Sequence, residues 1–186
     1  MGFNPSYLLF ACLLSLIGHG ASADLSISTV PVSDDIISLE AGILCPPETV
    51  GTNPAPGTIT GATHVIAESP PFAANIRQVP ATLGLAFGIK AQTRVPGGLN
   101  GITMTITHPP MGPEKVSEQS FTSRINDDDP SLTFFQFDHS YELVEGEWSM
   151  MVTHADMLLY KVDFTVLPPE ALPEIAGLCG YLDLLS

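Results

Sequence analysis

Apolar and polar side chains alternate along five stretches of this 186-residue chain, and this two-residue period constrains the fold more than any other feature. Successive side chains of a β-strand point to opposite faces of the sheet, so the alternation predicts strands with one apolar and one polar face. Such strands are typical of antiparallel sheets that pack on one side and meet water on the other. The alternating apolar positions are Ile37, Leu39, Ala41 and Ile43; Leu83, Leu85, Phe87 and Ile89; Ile102, Met104 and Ile106; Trp148, Met150 and Val152; and Leu158, Tyr160, Val162, Phe164 and Val166.

Turn residues separate these stretches and indicate many short strands. The chain contains 17 prolines and 16 glycines, which favour turns over long helices. The main turn clusters lie at residues 46–47, 54–57, 96–98, 109–113 and 126–130. Weaker strands are predicted at residues 25–30, 63–67, 73–79, 119–123 and 132–137. About eight to ten short strands at this spacing predict an all-β fold, namely an antiparallel immunoglobulin-like β-sandwich. Its clearest element is a final hairpin, in which residues 148–153 run out, His154-Ala155-Asp156 turn, and residues 157–166 return.

The N-terminal segment predicts export. An apolar run from Tyr7 to Ile17 precedes Ala21-Ser22-Ala23, an A-x-A cleavage pattern, so residues 1–23 are interpreted as a signal peptide. The first six residues lack Lys and Arg, which leaves an uncleaved membrane anchor as the alternative. The run is about 11 residues long, whereas a membrane span needs about 20, and no later segment is apolar enough to cross. We therefore expect a periplasmic or secreted protein, with a β-sandwich domain at residues 24–168 and a docking tail at residues 169–186.

Two cysteines remain after the predicted cleavage site, Cys45 and Cys179. An even number of cysteines in an oxidising compartment indicates one disulfide, and the alternative is two free or intermolecular thiols. Two cysteines without clustered histidines argue against a structural zinc site. A bridge would tie the C-terminal tail onto the sandwich, where we expect it to dock as a turn or short helix. The tail is apolar enough to dock, since it carries Leu178, Tyr181, Leu182, Leu184 and Leu185.

The chain is strongly acidic, with 20 Asp and Glu against 6 Lys and Arg and a formal net charge of −14. A field of this sign repels phosphate backbones and anionic lipid surfaces, which excludes nucleic-acid binding and disfavours peripheral membrane binding. A basic partner is compatible with this charge, and so is a role in solubility alone. The charge therefore leaves a protein or a small ligand as the partner.

Methionines and histidines near two strands suggest a possible copper site. Thioether and imidazole groups are good copper ligands. Met104 and His108 share one strand face by alternation, and Met150 and His154 share another. If the two strands were neighbours, these four side chains would be candidates to converge on a metal ion. The alternative is that the methionines fill the core and the histidines lie at strand ends. Trp148, in a strongly apolar run, is predicted to be a core anchor.

Other combinations of reactive residues fit ordinary structural roles better. Asp138-His139-Ser140 cannot form a catalytic relay in a strand, because adjacent side chains point to opposite faces. The acidic run 126–130 lacks the ligand spacing of a calcium loop and is interpreted as a solvated turn. Glu142, Glu145 and Glu147 would suit glycoside hydrolysis only if two of them faced one pocket. No nucleophile elbow, phosphate-binding glycine loop or H-E-x-x-H pattern occurs. We therefore expect no enzymatic activity and no cofactor, with an unrecognised hydrolase as an alternative.

Several segments of the chain together resemble a known bacterial family. These segments are Gly42–Gly51, Ala55-Pro56-Gly57-Thr58, Leu85-Ala86-Phe87-Gly88, Ile106–Pro113, Glu142-Leu143-Val144 and Gly146-Glu147-Trp148. They resemble the family known as domain of unknown function 3859, over about residues 38–168. The resemblance implies a small exported β domain and a periplasmic location. The family has no assigned reaction, so the resemblance implies no catalytic residue, and Cys179 lies beyond its edge.

These observations predict an exported, non-catalytic binding or interaction module. The prediction depends on the turn-rich sandwich and on the lack of an arranged nucleophile, base or metal cluster in the sequence. A periplasmic copper-binding protein that uses Met104, His108, Met150 and His154 is the first alternative, and an unrecognised hydrolase is the second.

Overall fold

A computed structural model describes residues 1–2 and 32–179 of the chain. Ten strands and one short helix make up this part. They are β1 (Ile36–Leu44), β2 (Thr49–Pro54), β3 (Ala62–Ile66), β4 (Gln78–Pro80), β5 (Ala86–Thr93), β6 (Leu99–Met111), β7 (Val116–Ile125), β8 (Ser131–Gln136), β9 (Gly146–His154), β10 (Met157–Leu167) and α1 (Pro173–Ala176). The predicted signal peptide beyond Gly2, the weak strand at 25–30 and the tail from Gly180 onward lie outside the described residues.

The strands form a two-sheet sandwich with an attached hairpin. One sheet has the order β1-β5-β8, the other has the order β4-β10-β9-β6-β7, and β2 pairs only with β3 among the described strands. In immunoglobulin notation the first order corresponds to strands A-B-E, and β10-β9-β6-β7 corresponds to G-F-C-C′. This strand order confirms the predicted all-β, immunoglobulin-like sandwich. One pair departs from the antiparallel prediction, because the short strand β4 runs parallel to β10.

Aromatic side chains from both sheets fill the space between them. Phe87 on β5 contacts Trp148 on β9 and Phe164 on β10, with ring centroids 5.6 and 5.0 Å apart. Phe135 on β8 lies 5.0 Å from Trp148. Trp148 is 1% exposed, and its indole N–H donates to the carbonyl of Val144 at 3.0 Å. The tryptophan is therefore buried without leaving its polar atom unpaired, as a core position requires.

Two strand predictions were wrong in detail because the backbone breaks the simple alternation. The register between β1 and β5 shifts between Ile36 and Ser38, so Ile36 is buried and Ile37 is 50% exposed. A bulge of this kind moves the side chains that precede it to the other face. Leu83, predicted to be the first inward residue of β5, is 38% exposed. The strand begins only at Ala86, after the turn that contains Gly84 at φ 79°.

Other boundaries also differ from the prediction. Strand β2 was not predicted, since it lacks alternation and all six of its residues are exposed. Pro109 and Pro110, predicted to lie in a turn, extend β6 as far as Met111 across an irregular register with β7. The final hairpin turns on two residues rather than three, because His154 pairs with Met157. The two turn residues between them have positive φ values of 48° and 65°, as expected of a type I′ turn.

The disulfide between Cys45 and Cys179 is confirmed, with the two Cα atoms 5.3 Å apart. Cys45 directly follows β1, and Cys179 lies just beyond α1. The tail residues up to Cys179 form a 3-10 turn at Pro169–Ala171 and then the single-turn helix α1. Ala176 of that helix is buried. The described part of the tail therefore consists of short helical turns, one of which buries Ala176.

Candidate functional site: a cleft beside strand β8

A cleft of about 440 Å³ opens between the outermost strands of the two sheets. Its walls are β7, the edge of the five-stranded sheet, and β8, the edge of the three-stranded sheet. The β2–β3 hairpin, residues 49–66, covers it. Residues that characterise the lining are His64, Gln119, Phe121, Thr122, Phe134 and Gln136. We call this space the β8 cleft; it combines aromatic surface with hydroxyl and amide groups.

The hairpin is held over the cleft by a buried glutamine on β7. Gln119 is 5% exposed, and its Oε1 accepts the Ile59 main-chain N–H at 2.8 Å. Beside it, the Ser120 N–H donates to the Gly57 carbonyl at 2.9 Å. A Cβ atom on Gly57 would collide with the carbonyl oxygen of Ser120, so the backbone approaches this closely only at glycine. The loop between β2 and β3 is thus tied to β7 at two consecutive residues.

Gln119 also reaches the buried histidine of β6. His108 is 4% exposed, its Nδ1 lies 2.9 Å from the Pro109 carbonyl, and its Nε2 lies 3.1 Å from Gln119 Nε2. A carbonyl only accepts, so Nδ1 carries the proton and Nε2 accepts from the Gln119 amide. The ring also packs on Trp148, with centroids 4.7 Å apart. Desolvation by burial lowers the pKa of His108, although the Pro109 carbonyl opposes this. The neutral ring therefore fits the network.

A second polar group, Glu142, lines the cleft from the turn that follows β8. Glu142 is 4% exposed, and its Oε2 accepts the main-chain N–H groups of Asp138 and His139 at 2.7 and 2.8 Å. Burial raises the pKa of this carboxyl, and the two N–H donors partly offset the rise. The carboxylate thereby closes the 3-10 turn at Ser140–Glu142.

A contact between the His64 ring and the Asp138 carboxylate joins the hairpin to the end of β8. His64 Nε2 lies 2.8 Å from Asp138 Oδ2, and the side chains are 34% and 32% exposed. The His64 ring also stacks on Phe134, with centroids 6.3 Å apart. Its Nδ1 lies 3.5 Å from Thr49 Oγ1, at the outer limit of a hydrogen bond. Gln136 donates to the other Asp138 oxygen at 2.7 Å. These contacts position the hairpin against β8.

The structure does not bring the four proposed copper ligands together. Strands β6 and β9 are indeed neighbours, but they are antiparallel, with Met104 opposite Val152 and Ile106 opposite Met150. His108 therefore lies near Trp148, and His154 lies six positions away along β9, about 20 Å at strand spacing. Met104 and Met150 are both fully buried in the core. Within residues 32–179, no group of three or more His, Cys, Asp or Glu side chains is placed to hold a metal ion.

The other sequence candidates fall in separate places. Asp138 and His139 are exposed at the end of β8, and the His139 ring stacks on Tyr141 rather than on Asp138. The Asp127 carboxylate accepts the Gly97 N–H at 2.8 Å, which supports its interpretation as a turn residue. None of the helices in residues 32–179 has the length and apolarity that a membrane crossing needs.

The sequence analysis did not predict the contacts that define the cleft. His64 and Asp138 meet although 74 positions separate them, and Gln119 reaches Ile59 across 60 positions. No local pattern marks such contacts, since they depend on where the hairpin folds back. A partial signal is the isolated polar Gln119 among alternating residues of β7, at an inward position where an apolar residue is expected.

Comparison with known proteins gives a family match and a match to a solved structure. The family described as Domain of unknown function (DUF3859) matches residues 33–166. The crystal structure of an immunoglobulin-like protein from Pseudomonas aeruginosa is 22% identical, with a TM-score of 0.47. The similarity covers 80% of this chain and 100% of that chain. No curated protein matches the sequence.

Proposed function

The chain belongs to the DUF3859 family, and we propose that it is an exported, non-catalytic binding module whose ligand occupies the β8 cleft. The family match covers most of the chain, in agreement with the resemblance carried by residues such as His108–Pro113. A family without an assigned activity supplies no ligand, so the proposal depends on the cleft itself.

The observation that supports binding most directly is the size and lining of the cleft. A volume of about 440 Å³ lies within the range of small-molecule and peptide subsites. Phe121 and Phe134 offer apolar surface, while Thr122, Gln136 and neighbouring hydroxyl groups offer hydrogen bonds.

The titratable groups of the β8 cleft already have structural roles, which supports a non-catalytic function. Glu142 is committed to two main-chain N–H donors, and His64 is committed to Asp138. Thr49, His64 and Asp138 have the connectivity of a nucleophile relay, but the 3.5 Å separation of Thr49 from the imidazole is long for activation. Glu142 holds the turn after β8 and His64 positions the hairpin, and neither is placed to attack a substrate.

The Cys45–Cys179 disulfide supports export, because disulfides persist in oxidising compartments. Cell fractionation with N-terminal sequencing tests this directly. We expect the protein in the periplasm or the medium, beginning at Asp24. Protein found only in the cytosol, with Met1 intact, would overturn the proposed location.

Chemical-shift mapping with a library of small aromatic and polyhydroxylated fragments tests the binding role. We expect hits whose shift changes cluster at β7, β8 and the hairpin. Thr122→Trp, which places a large ring at the cleft, should abolish them. Thr107→Trp, also at an exposed threonine of the same sheet but outside the cleft lining, should leave them intact. Fragments that still bind the Thr122→Trp variant, or whose shift changes are scattered over the surface, would refute the proposal.

A further inference from the structure

Strand β8 presents unpaired main-chain groups to the β8 cleft. The Phe137 N–H donates to the Leu85 carbonyl, so Phe137 faces β5. Main-chain groups alternate in direction along an antiparallel strand, so those of Thr133 and Phe135 also face β5. The N–H and C=O groups of Leu132, Phe134 and Gln136 consequently point away from β5, toward the cleft. Within the described residues no main-chain group pairs with them.

The cleft occupies the place where an immunoglobulin sheet commonly continues. In constant-type domains the A-B-E sheet carries a fourth strand, D, beside E. Here β8 corresponds to E, and only residues 126–130 connect it to β7, which leaves no length for a further strand. The β2–β3 hairpin covers the resulting space but pairs with neither edge as a strand, apart from the single Ser120–Gly57 hydrogen bond.

The sequence of β8 lacks the features that usually prevent strand addition, although the β2–β3 hairpin covers the cleft that β8 borders. Edge strands commonly carry charges, prolines or bulges that prevent pairing with another chain. Strand β8 reads Ser-Leu-Thr-Phe-Phe-Gln, with no charge and no proline, and its register with β5 is unbroken. The opposite edge, β7, carries Glu118 and Arg124. An uncharged strand edge that borders a cleft of this size is suited to a main-chain partner.

The charge at the two ends of β8 indicates what kind of strand fits. Asp127, Asp128 and Asp129 precede β8, and Asp138 lies two residues beyond its last residue, Gln136. Arg124 lies on the opposite wall of the cleft, and the Glu142 carboxylate, which also lines it, accepts two main-chain N–H groups. A second copy of this chain would bring another net charge of −14, which opposes self-pairing.

We infer that the ligand of the β8 cleft is an extended segment of another polypeptide, apolar at its centre and carrying Lys or Arg at both ends. It adds to β8 as a fourth strand of the β1-β5-β8 sheet. This inference rests on the proposed function, since it names the class of ligand that enters the same cleft. Main-chain hydrogen bonds provide affinity, and the flanking charges provide orientation and specificity.

Fluorescein-labelled peptides provide the test. The probe is acetyl-Lys-Val-Thr-Val-Thr-Val-Lys-amide, and its binding is followed by fluorescence anisotropy. A Glu-flanked version loses charge complementarity and is expected to bind at least about tenfold more weakly. A version N-methylated at the threonines loses main-chain hydrogen bonds and is expected to weaken by a similar factor. Added salt should weaken the lysine probe. Equal affinity of the three peptides would overturn the inference.

A pair of variants isolates the edge hydrogen bond on the protein. Leu132→Pro removes an outward N–H without touching the bonds of Thr133 and Phe135 to β5, and prolines are tolerated at such edge positions. It should weaken the lysine probe by about tenfold, whereas Leu132→Ala, which keeps the N–H, should bind nearly as wild type. Equal effects of the two variants would overturn the strand-addition geometry. If Leu132→Pro fails to fold, the N-methylated peptide still decides.

Other outcomes separate this inference from the proposed function. Fragments that map to the cleft while no peptide binds would overturn the strand partner and leave a small-ligand module. A concentration-dependent dimer that displaces the probe would replace the basic segment with a second copy. Amides of Leu132 and Phe134 that are already protected in the isolated protein would show that the chain itself occupies the edge, which also overturns the inference.

Discussion

Gln119 links the hairpin, strand β7 and the buried histidine, so its replacement should cost far more than that of an ordinary surface glutamine. Gln119→Met keeps the length of the side chain but removes both hydrogen-bonding atoms. The Ile59 N–H and His108 Nε2 then lose partners that lie 2.8 and 3.1 Å away. A buried polar group left without a partner costs about 1–3 kcal/mol.

His108 is almost fully buried and bears the full cost, whereas Ile59 is half-buried and recovers part of its hydration. We therefore expect Gln119→Met to lower the free energy of unfolding by about 2–4 kcal/mol. In a domain of about 150 residues this corresponds to a fall in Tm on the order of 10 °C. Urea denaturation followed by the fluorescence of the single tryptophan, Trp148, measures the change directly.

A double-mutant cycle with His108→Phe tests the reasoning further. His108→Phe alone leaves the Gln119 amide unpaired, whereas the double variant removes both partners. The loss of unfolding free energy in the double variant should therefore be smaller than the sum of the two single losses by at least about 1 kcal/mol. Gln92→Met is the matched control, because Gln92 makes one half-buried hydrogen bond to the Asp127 carbonyl. Additive effects, or a cost for Gln119→Met no larger than for Gln92→Met, would refute the network.

Three further predictions concern the core, the disulfide and pH. Trp148→Ala should destabilise the protein by about 3–5 kcal/mol, and a urea-melt change below about 0.5 kcal/mol, followed by circular dichroism, would contradict its place in the core. Replacing both Cys45 and Cys179 with alanine should cost about 2–5 kcal/mol, whereas unchanged stability would mean that the bridge contributes nothing. The lowered pKa of His108 means that the folded state favours the neutral ring. The contribution of His108 to the free energy of unfolding is therefore complete above about pH 6.5, the ordinary pKa of histidine. It is lost as the pH falls below that value. His108→Gln should therefore lose less Tm than wild type between about pH 7.5 and 5.5, and parallel Tm curves for the two proteins would contradict the assignment.

The sequence was sufficient to predict the sandwich because its central strands alternate cleanly. Strand β9 keeps Trp148, Met150 and Val152 on its buried face. Its neighbour β10 keeps Phe164 and Val166 on the same face of the sheet. The disulfide was also predictable, since only two cysteines follow the predicted signal peptide and an oxidising compartment would pair them. These features are local or compositional, so a single sequence carries them.

The cleft was not predictable for physical reasons. All residues of strand β2 are exposed, so its sequence has no alternation of apolar and polar residues that could predict the hairpin. Its position depends on contacts such as His64 with Asp138, which are distant in sequence. The bulge near Ile36 is a backbone adjustment of one residue, and it reversed the predicted face of Ile37. Edge exposure of β8 likewise follows from the sheet order, which alternation does not encode.

Native-state hydrogen exchange at β8, measured residue by residue, tests most directly whether a free strand edge faces the cleft. In the isolated protein, the amides of Thr133 and Phe135 should exchange slowly because they bond to β5, while those of Leu132, Phe134 and Gln136 should exchange quickly. The lysine-flanked peptide should slow the second set alone. Uniformly slow exchange along β8 before any peptide is added, or fast amides that the peptide leaves unchanged, would contradict the account.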